Sequence, residues 1–310
     1  VHARPVASEP YPWTLTAPGS ANQALIKIES HDYPNYISGM SATTFTILET
    51  IHVNTPSGTG IIWRVGTPHN IEWTLGGSLP GNKVDIFYKK GVGGTWTAPV
   101  GFPAEGVTAD SGAGSGSYSW AIPNDMHAEV YIKVQDHGRV YISDVSDNPF
   151  KIKGSVTVSE PQLNEVVKVS DTGESKSVLW ELSGNVTGTA AIRLSKDGGT
   201  GYDTLLTSGT VDITTKSYAW PVLPGHMGLD NKIKVALDGD EDLVTGTAGA
   251  SAKFYVKSQI KLIYPNAVGI INPSTGLPYK IDDVMTITWN AIPNDLGGSG
   301  EVNIRYSING

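Results

Sequence analysis

Residues 116–123 read Gly-Ser-Tyr-Ser-Trp-Ala-Ile-Pro, and the Tyr-x-Trp element at their centre occurs three times in the chain. In each occurrence an apolar residue and a proline follow the tryptophan within five residues. The three tryptophans are Trp13, Trp120 and Trp220, which lie 107 and then 100 residues apart. Self-similarity at such a spacing is the sequence signature of a tandem array of domains.

Three further elements recur in the same order around the Tyr-x-Trp element. In one of them an apolar residue lies one or two positions before a tryptophan, and the three tryptophans are Trp73, Trp180 and Trp289. A lysine between two aliphatic residues occurs at 26–28, 132–134 and 233–235, and a Phe-x-aliphatic element occurs at 45–47, 150–152 and 254–256. These elements alternate apolar and polar side chains, which predicts strands with one buried face. Turn residues separate them, so the sequence predicts an all-β chain of tandem immunoglobulin-like antiparallel β-sandwiches.

The phase of the repeat predicts two complete sandwiches and one that is split between the two ends of the sequence. Residues 49–152 form the first complete repeat and residues 153–257 the second. Residues 1–48 carry only the later elements and form the head half-repeat, the C-terminal half of a sandwich. Residues 258–310 carry only the earlier elements and form the tail half-repeat, the N-terminal half.

A half sandwich exposes one core face to water and leaves its edge strands unpaired. We therefore expect both half-repeats to be completed by other strands. Copies of the same chain, joined head to tail, would build a composite domain and a growing homopolymer. Further repeats of the same, longer chain would have the same effect. Closure within one chain is disfavoured, because two intact sandwiches separate the half-repeats. Both remaining alternatives predict an extended fibre.

The recurring tryptophans have two interpretations. A tryptophan on a sandwich strand normally lies between the sheets, and recurrence in every repeat favours this role. The predicted core anchors are Trp13, Trp73, Trp120, Trp180, Trp220 and Trp289. The alternative is an exposed aromatic platform that stacks on sugar rings, for which Trp63, Trp96 and Tyr202 are the better candidates because they do not recur.

Composition restricts the remaining classes of function. The chain has no cysteine, a formal net charge of -8 and 17% charged residues. No disulfide framework is available, and no basic stripe is present to bind nucleic acid. No apolar run is long enough to span a bilayer, so membrane insertion is not expected. The seven histidines are scattered, and no nucleophile elbow or P-loop occurs. We therefore expect no enzyme activity, no catalytic residue and no cofactor-binding residue.

Calcium is the one metal for which the sequence offers candidates. Asp238, Asp240 and Asp242 alternate along an acidic turn, and calcium prefers such oxygen ligands. The turn lacks the glycine and the glutamate of an EF-hand loop, with Leu243 and Gly249 at those positions, so a solvated turn is the competing interpretation. Asp144 and Asp147 form a second candidate, at a junction between domains.

The first complete repeat carries a set of short motifs in a recognisable order. They are Trp63-Arg64-Val65-Gly66, Ile71-Glu72-Trp73-Thr74, residues 116–123, and Ser143-Asp144-Val145-Ser146-Asp147 leading into Phe150-Lys151-Ile152. This order resembles the Ig-like repeats of Ser/Thr-rich cell-wall proteins of the Kre/Knh type, which also occur in large microbial extracellular proteins. The second complete repeat and the split repeat lack the Ser-Asp-x-Ser-Asp stretch.

The resemblance implies an extracellular or cell-surface β-sandwich with a structural or spacer role, and it supplies no catalytic residue. The predicted function is a structural repeat protein of an extracellular fibre, filament or cell-surface layer. Its half-repeats would associate head to tail or continue as a longer repeat chain. The alternative is a carbohydrate-binding or adhesin accessory module of a secreted protein, whose partner would be a cell-surface glycan.

Overall fold

The computed structural model describes residues 10–15, 21–169, 175–207, 209–238, 250–267, 269–292 and 301–307. The chain divides into two compact units, Val1–Lys153 and Gly154–Gly310. Each unit contains one complete repeat and one half-repeat. The structure is all-β, and within the described residues its helices are single 3-10 turns at Pro80–Asn82, Ile213–Thr215 and Pro224–His226. None of the helices in the described part of the chain could cross a membrane.

The head half-repeat contains four short strands, β1 (Ala21–Ala24), β2 (Lys27–Glu29), β3 (Ser38–Met40) and β4 (Phe45–Ile47). They form two antiparallel ladders, β1 with β4 and β2 with β3. The tail half-repeat contains β22 (Gln259–Tyr264) and β23 (Thr288–Ile292), which pair antiparallel.

The first complete repeat is a sandwich of two sheets. Its strands are β5 (Thr50–Thr55), β6 (Ile62–Arg64), β7 (Pro68–Gly76), β8 (Lys83–Lys90), β9 (Val107–Thr108), β10 (Ser115–Ala121), β11 (His127–Asp136), β12 (Ser143–Val145) and β13 (Phe150–Lys153). One sheet has the order β10-β7-β5, and the other has the order β6-β13-β11-β8-β9 with β12 paired to β11. All pairs are antiparallel except β6 with β13, which run parallel.

The second complete repeat has the same topology. Its strands are β14 (Ser155–Glu160), β15 (Val166–Lys168), β16 (Ser175–Ser183), β17 (Ala190–Ser195), β18 (Thr204–Leu205), β19 (Ser217–Pro221), β20 (Gly228–Leu237) and β21 (Phe254–Lys257). The sheets have the orders β14-β16-β19 and β15-β21-β20-β17-β18, with β15 parallel to β21. The prediction of tandem immunoglobulin-like sandwiches is confirmed.

The core of each complete repeat follows from the alternation of its strands. In β7, Ile71 and Trp73 are fully buried while Glu72 between them is exposed. The opposite sheet contributes residues such as Ile132 and Val134 of β11, also fully buried. Because each inner face is covered by the other sheet, a complete repeat excludes water from its core without help from a partner.

Candidate assembly surfaces in the two half-repeats

The tail half-repeat keeps the strand register of a complete repeat. In the complete repeats Val53 lies opposite Trp73 and Val158 lies opposite Trp180, and the register shifts immediately afterwards. In the tail half-repeat Leu262 lies opposite Trp289, with a shift at the same point. A cis X–Pro bond follows each shift, at Pro56, Pro161 and Pro265. Strands β22 and β23 therefore correspond to β5 and β7.

The head half-repeat matches the other part of the sandwich. Lys27 lies opposite Met40, as Lys133 lies opposite Val145 in the first complete repeat. Ala24 lies opposite Phe45, as Val130 lies opposite Phe150. Strands β1 and β2 thus correspond to β11, β3 corresponds to β12, and β4 corresponds to β13.

In all three repeats a serine forms the same two hydrogen bonds with an isoleucine. The backbone N–H of Ser146 donates to the carbonyl oxygen of Ile132 at 2.9 Å, and the Ser146 Oγ accepts from the N–H of Ile132 at 3.2 Å. Ser251 makes the same two bonds with Ile233, at 2.7 and 2.9 Å, and Ser41 makes them with Ile26, at 2.8 and 3.1 Å. Sequence reasoning missed these serines, although their 105-residue spacing carries the signal.

The four predicted core anchors that lie in the complete repeats are core residues. Trp73, Trp120, Trp180 and Trp220 are almost entirely buried. The indole N–H of Trp73 donates to the carbonyl oxygen of Ala109, and that of Trp180 donates to Ile213, both at 2.8 Å. Each of these two buried indoles therefore has the polar partner that a core position requires.

Trp13 and Trp289 depart from the expectation that all six tryptophans are core residues. Trp13 is 53% exposed and Trp289 is 37% exposed. The physical reason is that, within the described residues, each half-repeat has strands from only part of the sandwich, and these strands form no opposing sheet over its inner face. These two side chains have the positions of core anchors without the cover that buries such anchors in the complete repeats.

Aliphatic side chains at core positions of the half-repeats are exposed as well. Residues 302–306 read Val-Asn-Ile-Arg-Tyr and match Val-Asp-Ile-Phe-Tyr at 84–88, the central part of β8. Ile304 is 60% and Tyr306 91% exposed, whereas Ile86 is fully buried and Tyr88 nearly so. In the head half-repeat Ile28 is 75% exposed, whereas Val134 at the same position of β11 is fully buried. Each half-repeat therefore presents an uncovered apolar face, which is typical of an interaction surface.

Trp63 is not the exposed aromatic platform that was considered from the sequence. It is buried, 4.5 Å from Phe150 between ring centroids and stacked on His69 at 4.9 Å. The parallel pairing of β6 with β13, in which Trp63 lies opposite Ile152, brings this tryptophan into the sandwich. The platform interpretation is wrong for this residue.

Trp96 and Tyr202 are half-buried, and lysine ammonium groups lie over their rings. The Nζ atoms of Lys89 and Lys133 lie 4.9 and 5.2 Å from the centre of the Trp96 ring. Lys234, which corresponds to Lys133, lies 5.9 Å from the ring of Tyr202. Burial lowers the pKa of Lys133, against the nearby charge of Asp85, which raises it. These cation–π contacts occupy ring surface that a sugar would need for stacking.

The calcium candidates divide between described and undescribed parts of the chain. Asp238 is exposed, and Asp240 and Asp242 lie outside the described residues. Asp144 Oδ2 accepts from the backbone N–H of Val53 at 2.8 Å, and Asp147 accepts from the hydroxyl of Ser57 at 3.1 Å. Both carboxylates therefore bind the edge strand β5 and the turn after it. Across the described residues, no group of three or more metal-ligating side chains occurs.

His226 has a structural role in the core of the second complete repeat. Its Nδ1 accepts from the indole N–H of Trp220 at 3.1 Å and from the backbone N–H of Leu223 at 3.0 Å. Burial lowers the pKa of His226, and the charge of Lys196 lowers it further. The neutral imidazole is the form that can accept both bonds.

No family model and no curated protein matches this chain. Among solved structures, the chain is similar to one described as a marsupial T cell receptor, with 12% identity, 70% of this chain and 76% of that chain covered, and a TM-score of 0.23.

Proposed function

We propose that this chain is a structural repeat protein of an extracellular fibre, filament or cell-surface layer, in which the half-repeats are completed by strands from outside their own half. The single observation that carries the proposal is the state of the two half-repeats. Each keeps the register of the complete sandwich, yet each exposes side chains that the complete repeats bury. An ordered strand pair with an uncovered apolar face is the expected state of a subunit before assembly.

The complete repeats fit a spacer role. Their recurring tryptophans and the aliphatic side chains of their inner faces form closed cores, and the Asp144 and Asp147 carboxylates bind an edge strand and the turn after it. Such modules give length and resistance to unfolding rather than a reaction site. An extracellular location is supported by the resemblance to cell-wall repeats and by the low content of charged residues.

Electron microscopy of the purified 310-residue protein tests the proposal. We expect filaments or chains of beads whose length grows with protein concentration, because a head-to-tail contact whose rotation does not close a ring adds copies without limit. Discrete particles at every concentration, together with a constant sedimentation coefficient, would reject the structural-filament function.

A glycan-binding accessory module is the second candidate function, supported by the cluster of Trp96, Tyr131 and Phe87 on the outer side of one sheet. A sugar that stacks on these three rings would displace the lysine ammonium groups that lie within 5.3 Å of them. Titration of the protein with soluble cell-wall oligosaccharides distinguishes the candidates. Saturable quenching of tryptophan fluorescence that is lost in Trp96→Ala would favour the binding module.

A further inference from the structure

We propose that the occupant of the exposed face of the tail half-repeat is the head half-repeat of a second copy of this chain, with Ile304 directly opposite Ile28 in an antiparallel strand pair. This proposal rests on the proposed function and identifies its partner and its register. Residues 302–306 of one copy and β2 of the other would form the pair that β8 and β11 form in the first complete repeat.

The two complete repeats determine the register. In the first, Ile86 lies opposite Val134 and Tyr88 lies opposite Ile132. In the second, Ile192 lies opposite Val235 and Leu194 opposite Ile233, so the two repeats agree. Transfer of this pairing to the half-repeats places Ile304 opposite Ile28 and Tyr306 opposite Ile26. All four of these side chains are exposed in the single chain.

The second sheet of the composite sandwich gives an independent contact. Trp120 lies opposite His69, which is four residues before Trp73 of the paired strand. Trp220 lies opposite Lys176, which is four residues before Trp180 of the paired strand. The same rule places Trp13 of one copy opposite Met285 of the other. Both of these side chains are exposed in the single chain. The two half-repeats therefore complement each other in both sheets.

Charge does not oppose this register. The outward pair next to Ile304 and Ile28 would be Arg305 opposite Lys27. The second complete repeat contains the same pair of charges, because Arg193 lies opposite Lys234. Lys27 also has a carboxylate beside it, since its Nζ lies 2.5 Å from Glu29. The contact joins different surfaces of the two copies, so it is heterologous and propagates into a filament when its rotation does not close a ring.

Disulfide trapping tests the partner and the register together, because the chain contains no cysteine. Full-length Lys27→Cys and Arg305→Cys proteins are mixed and oxidised, and the linked peptides are identified by mass spectrometry. Only a contact between two copies can join these two proteins. Directly opposed residues of an antiparallel pair lie about 4.5–5.5 Å apart between Cα atoms, which a disulfide bridges.

Two controls share the Arg305→Cys protein. Lys133→Cys places the thiol at the matching position of the first complete repeat, where Phe87 already lies opposite. Glu29→Cys shifts the thiol by two residues, to a diagonal distance of about 7–8 Å that a disulfide does not bridge readily. We expect the Lys27→Cys mixture to form the mixed disulfide on the order of tenfold faster than either control, because only this pair meets the distance requirement.

The outcomes separate this proposal from the proposed function. Rapid linkage of the Lys27→Cys mixture alone supports the second copy and the register. Filaments by electron microscopy with equal linkage in all three mixtures, or with faster linkage of Glu29→Cys, overturn the register and leave the structural function standing. Discrete monomers with no linkage above the Lys133→Cys control overturn both.

Discussion

Gly116 allows the closest contact in the core of the first complete repeat. A Cβ atom at this position would lie 2.4 Å from the Trp73 ring and 2.4 Å from the carbonyl oxygen of Ala109, the acceptor of the Trp73 indole. We expect Gly116→Ala to lower the free energy of unfolding by about 1–3 kcal/mol through overpacking. Urea unfolding followed by tryptophan fluorescence measures the change. Gly93→Ala is the control, since a Cβ there meets nothing within 4 Å, and an equal loss in both variants would contradict the argument.

His226 makes the second complete repeat sensitive to acid. The pKa of its imidazole is lowered by burial and by Lys196, so below the ordinary value of about 6.5 the unfolded chain takes up a proton before the folded chain does. Stability is therefore fully present above that value and falls as the pH falls below it. The urea midpoint at about pH 5 should be lower than at about pH 7.5.

His226→Asn is the matched variant for this pH dependence. The asparagine Oδ1 provides an acceptor for Trp220 and Leu223 but does not titrate. We expect the difference between the two midpoints to shrink in this variant, while the midpoint near neutral pH changes less. An undiminished difference would mean that other groups, such as the half-buried His69, account for the acid sensitivity.

At the scale of elements, the serine that forms two hydrogen bonds with an isoleucine of the neighbouring strand segment is the feature shared by all three repeats. Ser146→Ala and Ser251→Ala each leave a buried isoleucine N–H without its acceptor, which we expect to cost about 1–3 kcal/mol of unfolding free energy. Ser41→Ala removes the same bond from an exposed site of the head half-repeat, where water replaces the hydroxyl. Urea unfolding of the three variants should show two losses and one near-neutral change.

The strands themselves could be predicted from sequence, but some of their pairings could not. Alternation around Trp73 and at residues 132–134 indicated strands with one buried face, and both regions have that pattern. The parallel pair of β6 and β13 joins residues about 90 positions apart, and local periodicity carries no information on such a pairing. Trp63 was a platform candidate because it does not recur among the repeats, and it is this long-range pairing that places it in the core. Ser251 was likewise not recognised from the sequence, because the Ser-Asp pattern that surrounds Ser146 is absent from the second complete repeat.

At the scale of the whole molecule, the phase of the repeat predicted two complete sandwiches and one that is split between the two ends of the sequence. Sequence alone could not give the burial of Trp13 and Trp289, because burial is a property of the strands that cover a residue and not of the residue itself. The structure adds that β22 and β23, and β1 to β4, hold the registers of a complete sandwich. The proposed assembly would therefore require no rearrangement of these ladders.

A single charge on the exposed face should separate folding from assembly. Ile304 is exposed in the chain, so Ile304→Asp should leave the far-ultraviolet circular dichroism spectrum and the urea unfolding curve unchanged. In the assembled state the same carboxylate would face the core of the composite sandwich, where an unpaired charge costs several kcal/mol. We expect the concentration needed for assembly to rise by roughly a hundredfold or more, as measured by sedimentation velocity over a dilution series.

Asn303→Asp is the matched control for this last prediction. It adds the same charge one residue away, on the outward side of the strand, where the first complete repeat carries Asp85. Successive side chains of a strand point to opposite faces, so this aspartate stays in water when the composite sandwich forms. We expect Asn303→Asp to assemble at nearly the concentration of the parent chain. Equal loss in both variants would indicate a general effect of negative charge near Gly310, and equal assembly would show that this face is not buried between copies.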